Sequence, residues 1–164
     1  MADGIALVLM NFSFFMVLLA VIFMLLNRLV TGGRVSGYEI MYRWLALFCI
    51  GFTGIYAFVV HAYFPAIASA TIGWVSSPFE FEVAVANLGF GLIGLLSFNA
   101  SIGFRLAAVI GNTIWLWGDA TGHIYQMVQF QNFSIGNAGS WFWMDILVPL
   151  LLVICVTKMK RAKR

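Results

Sequence analysis

The sequence contains little charge. Only 9% of its 164 residues are Asp, Glu, Lys or Arg, whereas 63% are hydrophobic, and the mean hydropathy is +0.99. A soluble domain carries about 25% charged residues, so this composition excludes a soluble globular protein, a disordered chain and a nucleic-acid binder. The length excludes a transporter with many spans, because each span needs about 20 apolar residues. We therefore predict a single transmembrane domain over residues 1–164, with the lipid bilayer as its partner.

Cysteine is scarce too, and so are the motifs of catalysis. The two cysteines, Cys49 and Cys155, both lie in apolar runs, which indicates buried thiols and no disulfide framework. The sequence has no nucleophile triad, phosphate loop, dinucleotide fingerprint or haem motif. A non-enzymatic role is therefore favoured over an enzyme, and no cofactor follows from the residues.

The sequence contains five long apolar stretches. They cover residues 5–26, 42–64, 79–98, 106–127 and 141–156, followed by a basic tail at 157–164. In lipid each backbone polar group needs a partner within its own segment, so each stretch should be a helix. The predicted fold class is all-α, a polytopic membrane helix bundle with about five transmembrane helices.

The basic residues predict the orientation of these helices. They lie in the first and third loops, near the adjoining helix ends and in the tail: Arg28, Arg34, Arg43, Arg105, Lys158, Lys160, Arg161, Lys163 and Arg164. Cytoplasmic loops carry an excess of Lys and Arg. Five spans with the N-terminus outside and the C-terminus inside place all of these residues on the cytoplasmic side, with Glu39 as the only acid there.

Two connecting segments lack charge. Residues 65–78 should lie in the outer interface, with Trp74 at the level of the lipid headgroups. Residues 128–140 are rich in amides and should face water; those amides are Gln129, Gln131, Asn132 and Asn137.

Ionisable side chains inside a membrane are costly, so they are candidates for function. At a rise of 1.5 Å per residue, the acidic and histidine side chains share one level near the outer surface. They are His61, Glu80, Glu82, Asp119, His123 and Asp145.

Asp119 and His123 form the sharpest pair among them. Their i, i+4 spacing puts them on one helix face, within reach of a direct hydrogen bond. Polar residues recur every seven positions on the same helix and should face the protein interior: Arg105, Asn112, Asp119 and Gln126. The pair either joins two helices or serves a ligand, a proton or a metal. Gly118 and Gly122 beside it form a GxxxG motif, which permits close helix crossing.

Each of the remaining candidates has a structural interpretation beside a functional one. Residues 77–80 form a capping box with Pro78 at the first helical position. Glu82 lies on the other face of that helix, among small residues that would let another helix approach. Asn87 either hydrogen-bonds to a neighbouring helix or contacts a ligand. His61 is a satisfied interfacial histidine or part of the site, and Asp145 suits the start of a helix.

A metal ion is less favoured than a proton or another ligand at this site. His61, Glu82, Asp119 and His123 are residue types that bind zinc, iron or manganese. Their spacing matches no metal motif, and the ligands would have to come from several helices.

Two segments resemble a known family. Residues 77–91 read SPFEFEVAVANLGFG and residues 122–127 read GHIYQM. These segments, which fit the patterns SPFxxEVxxAN and GHIxQM, resemble a family of small uncharacterised prokaryotic integral membrane proteins, a domain of unknown function.

The resemblance implies a multi-pass location in the cell (inner) membrane of a bacterium or archaeon, and it supplies no activity. It places Glu82, Asn87 and His123 in the family signature. Glu80 and Asp119 depart from that pattern, where an amide and a small residue are expected, which argues against a mechanism that depends on Asp119.

Two classes of function remain open. In the first, Glu82, Asp119 and His123, with Asn87 and His61 nearby, form a buried outer-leaflet site that binds or conducts a proton, a metal ion or a small amphiphile. Coupled acid–histidine pairs titrate as a unit, so such a site would respond to external pH. In the second, the protein is a non-catalytic accessory subunit of a larger membrane complex or forms a homo-oligomer. A lipid-modifying enzyme is a third class, which requires a groove that opens to lipid.

Overall fold

The computed structural model describes residues 7–161, and the side chains of residues 7–160. All regular structure in this part of the chain is helical. The helices are α1 (Phe12–Thr31), α2 (Gly37–Tyr63), α3 (Pro65–Ile72), α4 (Phe79–Ser97), α5 (Ile102–Phe130), α6 (Ile135–Ala138) and α7 (Ser140–Arg161). The predicted all-α class is confirmed.

Four helical segments are long and apolar enough to cross a membrane. They are Phe12–Thr31, Gly37–Tyr63, Phe79–Ser97 and Ile135–Lys160, the last of which joins α6 and α7. Helix α5 has 29 residues, but its polar side chains make it less apolar than these four. The predicted span at 106–127 lies within α5, and five spans remain a prediction.

The helices begin and end at different places from the predicted spans. Residues 65–78 contain the short helix α3, which starts at Pro65 because proline suits the first helical position. Helix α7 continues past the predicted end at 156 to Arg161. Lys and Arg are good helix formers, so the helix does not stop where its apolar residues do.

Successive long helices run in alternating directions. Phe12 of α1 stacks on Tyr56 of α2 with ring centroids 4.0 Å apart, whereas Phe23 packs near the start of α2, 4.8 Å from Trp44. The loops at 32–36 and 98–101 therefore lie at the same end of the bundle as the end of α7. We call this the basic end. The segments 64–78 and 131–139 lie together at the opposite, amide end.

Helix α2 packs closely on α4 through glycines. Residues Leu45–Phe52 of α2 form a π-helical segment, and Thr53 Oγ1 donates a hydrogen bond to the Phe48 carbonyl, 3.0 Å away. Just after this segment, a Cβ on Gly54 would lie 2.7 Å from the Gly91 Cα atom and 2.7 Å from the Asn87 carbonyl oxygen. Only glycine allows this approach of the two backbones.

The GxxxG motif of α5 does not make a close helix contact. A Cβ on Gly118 would meet nothing within 4 Å, and one on Gly122 would touch only the Trp74 ring at 3.6 Å. The close crossing that this motif permits is not made within the described residues, because neither glycine faces the backbone of another described helix.

Gly54→Ala is expected to destabilise the protein by about 2 kcal/mol, because the added methyl forces α2 and α4 apart. Gly89→Ala is the matched control on α4, since a Cβ there would meet nothing within 4 Å. Gly89→Ala should not lower the free energy of unfolding, and should raise it by up to about 1 kcal/mol because alanine has the higher helix propensity. Unfolding in mixtures of dodecyl sulfate and a non-ionic detergent measures the stability of both variants. Equal changes in stability for Gly54→Ala and Gly89→Ala would contradict this packing.

The core lies where α1, α2, α5 and α7 meet. Its buried side chains include Met16, Ala20, Tyr42, Leu45, Phe48, Val109, Val148 and Leu152. Cys49 and Cys155 are free and buried in the same core, as predicted. Most of α1 remains exposed, which is the pattern of a helix that faces lipid.

Candidate functional site

The connection from α5 to α7 folds inward at the amide end. Gln131 ends α5 in the left-handed conformation, with φ at 53°. The Asn132 side chain then donates a hydrogen bond to the Ile72 carbonyl, 2.9 Å away, which ties the connection to the end of α3. Gly136 lies against the Thr71 backbone, where a Cβ would be 2.8 Å from the carbonyl oxygen. These contacts bury the next residue, Asn137, which is 0% exposed.

Every hydrogen-bonding position of the Asn137 side-chain amide is used. Its Oδ1 accepts from Trp74 Nε1 at 3.0 Å and from His123 Nδ1 at 2.8 Å. Its Nδ2 donates to the carbonyls of His123 at 3.2 Å and Asn132 at 2.8 Å. The prediction that Asn137 faces water was wrong, because the fold of 131–139 turns this amide into the bundle, where it joins α5 to the α2–α4 connection.

This network fixes the protonation of the His123 ring. Trp74 Nε1 can only donate and the two carbonyls can only accept, so the orientation of the Asn137 amide is determined. Oδ1 therefore faces His123 Nδ1, which must carry a proton to donate to it. In neutral His123 the Nε2 atom is then the basic one.

His123 Nε2 faces a carboxylate. It lies 3.8 Å from Asp145 Oδ2 on α7, and the two side chains are 11% and 13% exposed. This distance is too long for a direct hydrogen bond, but it lets a proton on Nε2 and a negative charge on Asp145 stabilise each other.

The polar stripe of α5 faces inward at Arg105 and Asn112, which are buried, as is His123 beside it, whereas Gln126 is half-buried. Asp119 is half-buried, and no hydrogen bond joins it to His123 among the residues that the structure describes. The expected Asp119–His123 bond was wrong, because the two ring nitrogens of His123 face Asn137 and Asp145 instead.

The other predicted site residues lie on α2 and α4. His61 is half-buried, and its Nδ1 atom has no hydrogen-bond partner among the described residues. Glu80 accepts a hydrogen bond from the Ser77 backbone N–H at 3.3 Å, which is one half of the predicted capping box.

Glu82 and Asn87 make no side-chain hydrogen bond to His123, Asn137 or Asp145 in the described part of the chain. Glu82 is exposed. Asn87 Nδ2 donates to the Val83 carbonyl of its own helix at 3.0 Å. The expected hydrogen bond from Asn87 to a neighbouring helix is therefore replaced by one within α4.

The four candidate metal ligands do not come together. Within residues 7–161, no three side chains of His, Cys, Asp or Glu are grouped so that they could hold a metal ion. His61, Glu82, Asp119 and His123 are distributed over α2, α4 and α5.

A second buried polar cluster lies at the basic end. Arg105 is 4% exposed, and its Nη1 donates to Glu39 Oε2 at 2.7 Å. Its Nε and Nη2 atoms donate to the carbonyls of Ser97 at 3.1 Å and Phe98 at 2.7 Å, at the end of α4. Glu39 also pairs with Arg43 at 2.8 Å. This cluster joins α2, α4 and α5 and leaves none of the Arg105 guanidinium nitrogens unpaired.

Sequence reasoning missed the partners in both clusters. It treated Glu39 only as a charge and Asn137 as a solvated amide. Glu39 is the only acid among the basic residues at that end, and this alone could have predicted that it pairs with an arginine. Asn137 carried no such signal, because its position depends on how 131–139 packs against α3.

The geometry defines a class of protein: an all-helical chain with four membrane-length apolar segments and a buried histidine–amide–carboxylate cluster at one end. The chain belongs to the family of unknown function DUF6790, whose model matches residues 10–164. No curated protein and no solved structure matches it.

Proposed function

We propose that the protein binds a proton at the His123–Asp145 pair. The observation that carries this proposal is the 3.8 Å separation between His123 Nε2 and Asp145 Oδ2, with Nδ1 already committed to Asn137. A proton on Nε2 gives an imidazolium beside a carboxylate, and a pair this close titrates as a unit.

We also propose five spans in the inner membrane of a prokaryote, with the amide end outside. The basic residues at the basic end support this orientation, because Lys and Arg are retained on the cytoplasmic side. The proton site would then face the external medium, and the pair would respond to external pH.

A proton fits this pair better than the other ligands considered. A metal ion needs three or more ligands, which the described residues do not supply in one place. The cavity that reaches Asp145 has room for about one water molecule, which is too little for an amphiphile.

The test uses the protein's own fluorescence. The Trp74 indole lies 5.6 Å from the His123 ring and shares the Asn137 oxygen with it, so protonation of His123 should quench Trp74. Wild-type protein in lipid nanodiscs should show a fluorescence transition between about pH 4 and pH 9, the range in which histidines titrate. His123→Gln should abolish the transition, and Trp74→Phe should remove the signal.

His61→Gln and Glu82→Gln are the matched controls, because each neutralises a titratable residue that makes no hydrogen bond to the pair. Both should keep the wild-type transition. A transition that persists in His123→Gln, or one that is lost in His61→Gln instead, would show that the pair is not the site.

The accessory-subunit function is favoured by one observation. The outward face of α4 carries exposed Glu82 and also Gly89, where a Cβ would meet nothing within 4 Å. Small residues let another helix approach closely, so this face suits a helix of a larger complex or of a second copy. In that case His123→Gln would lower stability, but the wild-type protein would show no pH transition.

A further inference from the structure

A small cavity lies between α1, α2, α5 and α7, beside the His123–Asp145 pair. We call it the Asp145 cavity. Most of its lining is apolar, but three of the lining side chains carry oxygen atoms: Ser13 of α1, Thr53 of α2 and Asp145 of α7. The cavity has room for about one water molecule. It therefore brings polar groups of three helices around a space of the size of one water.

Ser13 has a buried hydroxyl group that the protein itself leaves unused. The residue is 3% exposed, and its Oγ atom has no hydrogen-bond partner among the described residues. Serine and threonine on a helix often donate to a carbonyl one turn earlier, but Ser13 makes no such bond. Because a buried hydroxyl without a partner is costly, Ser13 indicates a polar ligand in the cavity that it lines.

One water molecule matches all three side chains of the Asp145 cavity. An internal water makes about two to four hydrogen bonds. It can accept the proton of the Ser13 hydroxyl and donate its own two protons to the Asp145 carboxylate and to Thr53 Oγ1. Thr53 is free to accept, because its hydroxyl proton is donated to the Phe48 carbonyl, 3.0 Å away. Donors and acceptors are therefore paired without any further ligand.

An indole ring lies between Asp145 and the amide end. Trp141 precedes Asp145 by one turn of α7 and lines the same cavity. Its Nε1 donates to the Met10 carbonyl at 2.8 Å, and its ring is stacked 6.0 Å from that of Tyr56. Since the Asp145 side chain is only 13% exposed, hydration of its carboxylate depends on water inside the cavity more than on the external medium.

We propose that one internal water molecule, held by Ser13 and Thr53, binds the Asp145 carboxylate and keeps it ionised beside His123. This inference rests on the proton site proposed above and names the residues that position its carboxylate. An ionised carboxylate is costly in an apolar environment unless it is hydrogen-bonded, and His123 Nε2 is too far away, at 3.8 Å, to supply that bond. With the water bound, the proton of the pair resides on His123. Without the water, the proton resides on Asp145, and His123 loses its counter-charge.

The titratable groups around Asp145 leave this role to the water. His123 faces Asp145 from α5, and the half-buried Asp119 lies one turn before His123. On α2, Cys49 lines the cavity and Tyr56 contacts Trp141; a thiol and a phenol are uncharged at neutral pH. Among the described residues, no Lys or Arg lines the cavity, so no permanent cation stabilises the carboxylate there.

The first test follows the Trp74 titration in variants of Ser13. Ser13→Val replaces the hydroxyl with two methyl groups, which occupy the place of the water. The midpoint of its transition should move to lower pH by about one unit or more, because His123 loses a nearby opposite charge. Ser13→Ala leaves room for the water, which keeps Asp145 and Thr53 as partners, so its midpoint should stay close to that of the wild type.

Infrared spectroscopy of the same nanodiscs at neutral pH reads the protonation of Asp145 directly. The C=O band of a protonated Asp145 carboxyl, identified by its absence in Asp145→Asn, should be missing from the wild type and present in Ser13→Val. A band already present in the wild type overturns the proposal, as does its absence from folded Ser13→Val. If the wild type shows no Trp74 transition while the bands appear as expected, the water site is supported and the proton site at His123 is wrong.

Ser13→Ala/Thr53→Val provides a second variant, in case Ser13→Val does not fold. It removes two of the three partners of the water without filling the cavity, and a water with one partner left should be lost. It should therefore reproduce the shifted midpoint and the carboxyl band, and a folded double variant with neither overturns the proposal.

Thr113→Val is the matched control for these variants. Thr113 Oγ1 is also buried without a partner among the described residues, but Thr113 does not line the Asp145 cavity. It should leave the midpoint and the infrared spectrum unchanged. A shift in Thr113→Val equal to that in Ser13→Val overturns the proposal, and so does a full shift in Ser13→Ala alone, since the hydroxyl would then act without the water.

Discussion

Asn137→Ala should lower the free energy of unfolding by about 3 kcal/mol. The substitution removes an amide that makes four hydrogen bonds at a position with no solvent exposure. It leaves Trp74 Nε1, His123 Nδ1 and the Asn132 carbonyl without their partner. Interhelical hydrogen bonds in membrane proteins average about 0.6 kcal/mol each, and the buried groups left unpaired add to this loss. Unfolding in dodecyl sulfate mixtures measures it.

Asn87→Ala is the matched control for this prediction. The Asn87 side chain donates only to the Val83 carbonyl of its own helix, so its loss should cost less than about 1 kcal/mol. Asn137→Ala should also weaken the pH transition of Trp74 fluorescence, because Asn137 Oδ1 accepts hydrogen bonds from both the Trp74 indole and the His123 imidazole. Similar losses for the two variants would show that Asn137 is not the centre of the cluster.

The long helices of this fold followed from local sequence properties. Apolar length predicted the long helices, and the seven-residue spacing on α5 predicted a buried face that holds for Arg105 and Asn112, whereas Asp119 and Gln126 of the same series are only half-buried. Both arguments need only the geometry of one helix. They therefore hold whatever the arrangement of the other helices.

The partners of these residues could not be predicted in the same way. Asp119 was the expected partner of His123 because it is one turn away, yet Asp145 of α7 faces the ring. Which residue of α7 does so depends on the rotation of that helix about its axis, and the spacing within α5 carries no information about it. The burial of Asn137 likewise depends on the contact of 131–139 with α3.

Glu39→Gln should lower the free energy of unfolding by about 3 kcal/mol, because it leaves the Arg105 guanidinium buried without a counter-charge. Arg105→Gln should cost a similar amount for another reason, because it removes the donors to the Ser97 and Phe98 carbonyls, while Glu39 keeps Arg43 as its partner. Arg43→Gln is the control, since Arg43 pairs with the same carboxylate at 2.8 Å but has a side chain that is 33% exposed. An exposed pair contributes about 0–1 kcal/mol, so a cost for Arg43→Gln equal to that of Arg105→Gln would contradict the burial argument.

The double variant Glu39→Gln/Arg105→Gln separates the ion pair from the other contacts of Arg105. Removing both charges leaves no buried uncompensated charge, so the double variant should lose much less than the sum of the two single losses. Some loss should remain, because Arg105 also donates to the Ser97 and Phe98 carbonyls at the end of α4. Arg105→Lys keeps the charge but not the planar set of donors, so it should lie between wild type and Arg105→Gln. Strict additivity of the two losses would mean that Glu39 and Arg105 act independently, which their 2.7 Å contact argues against.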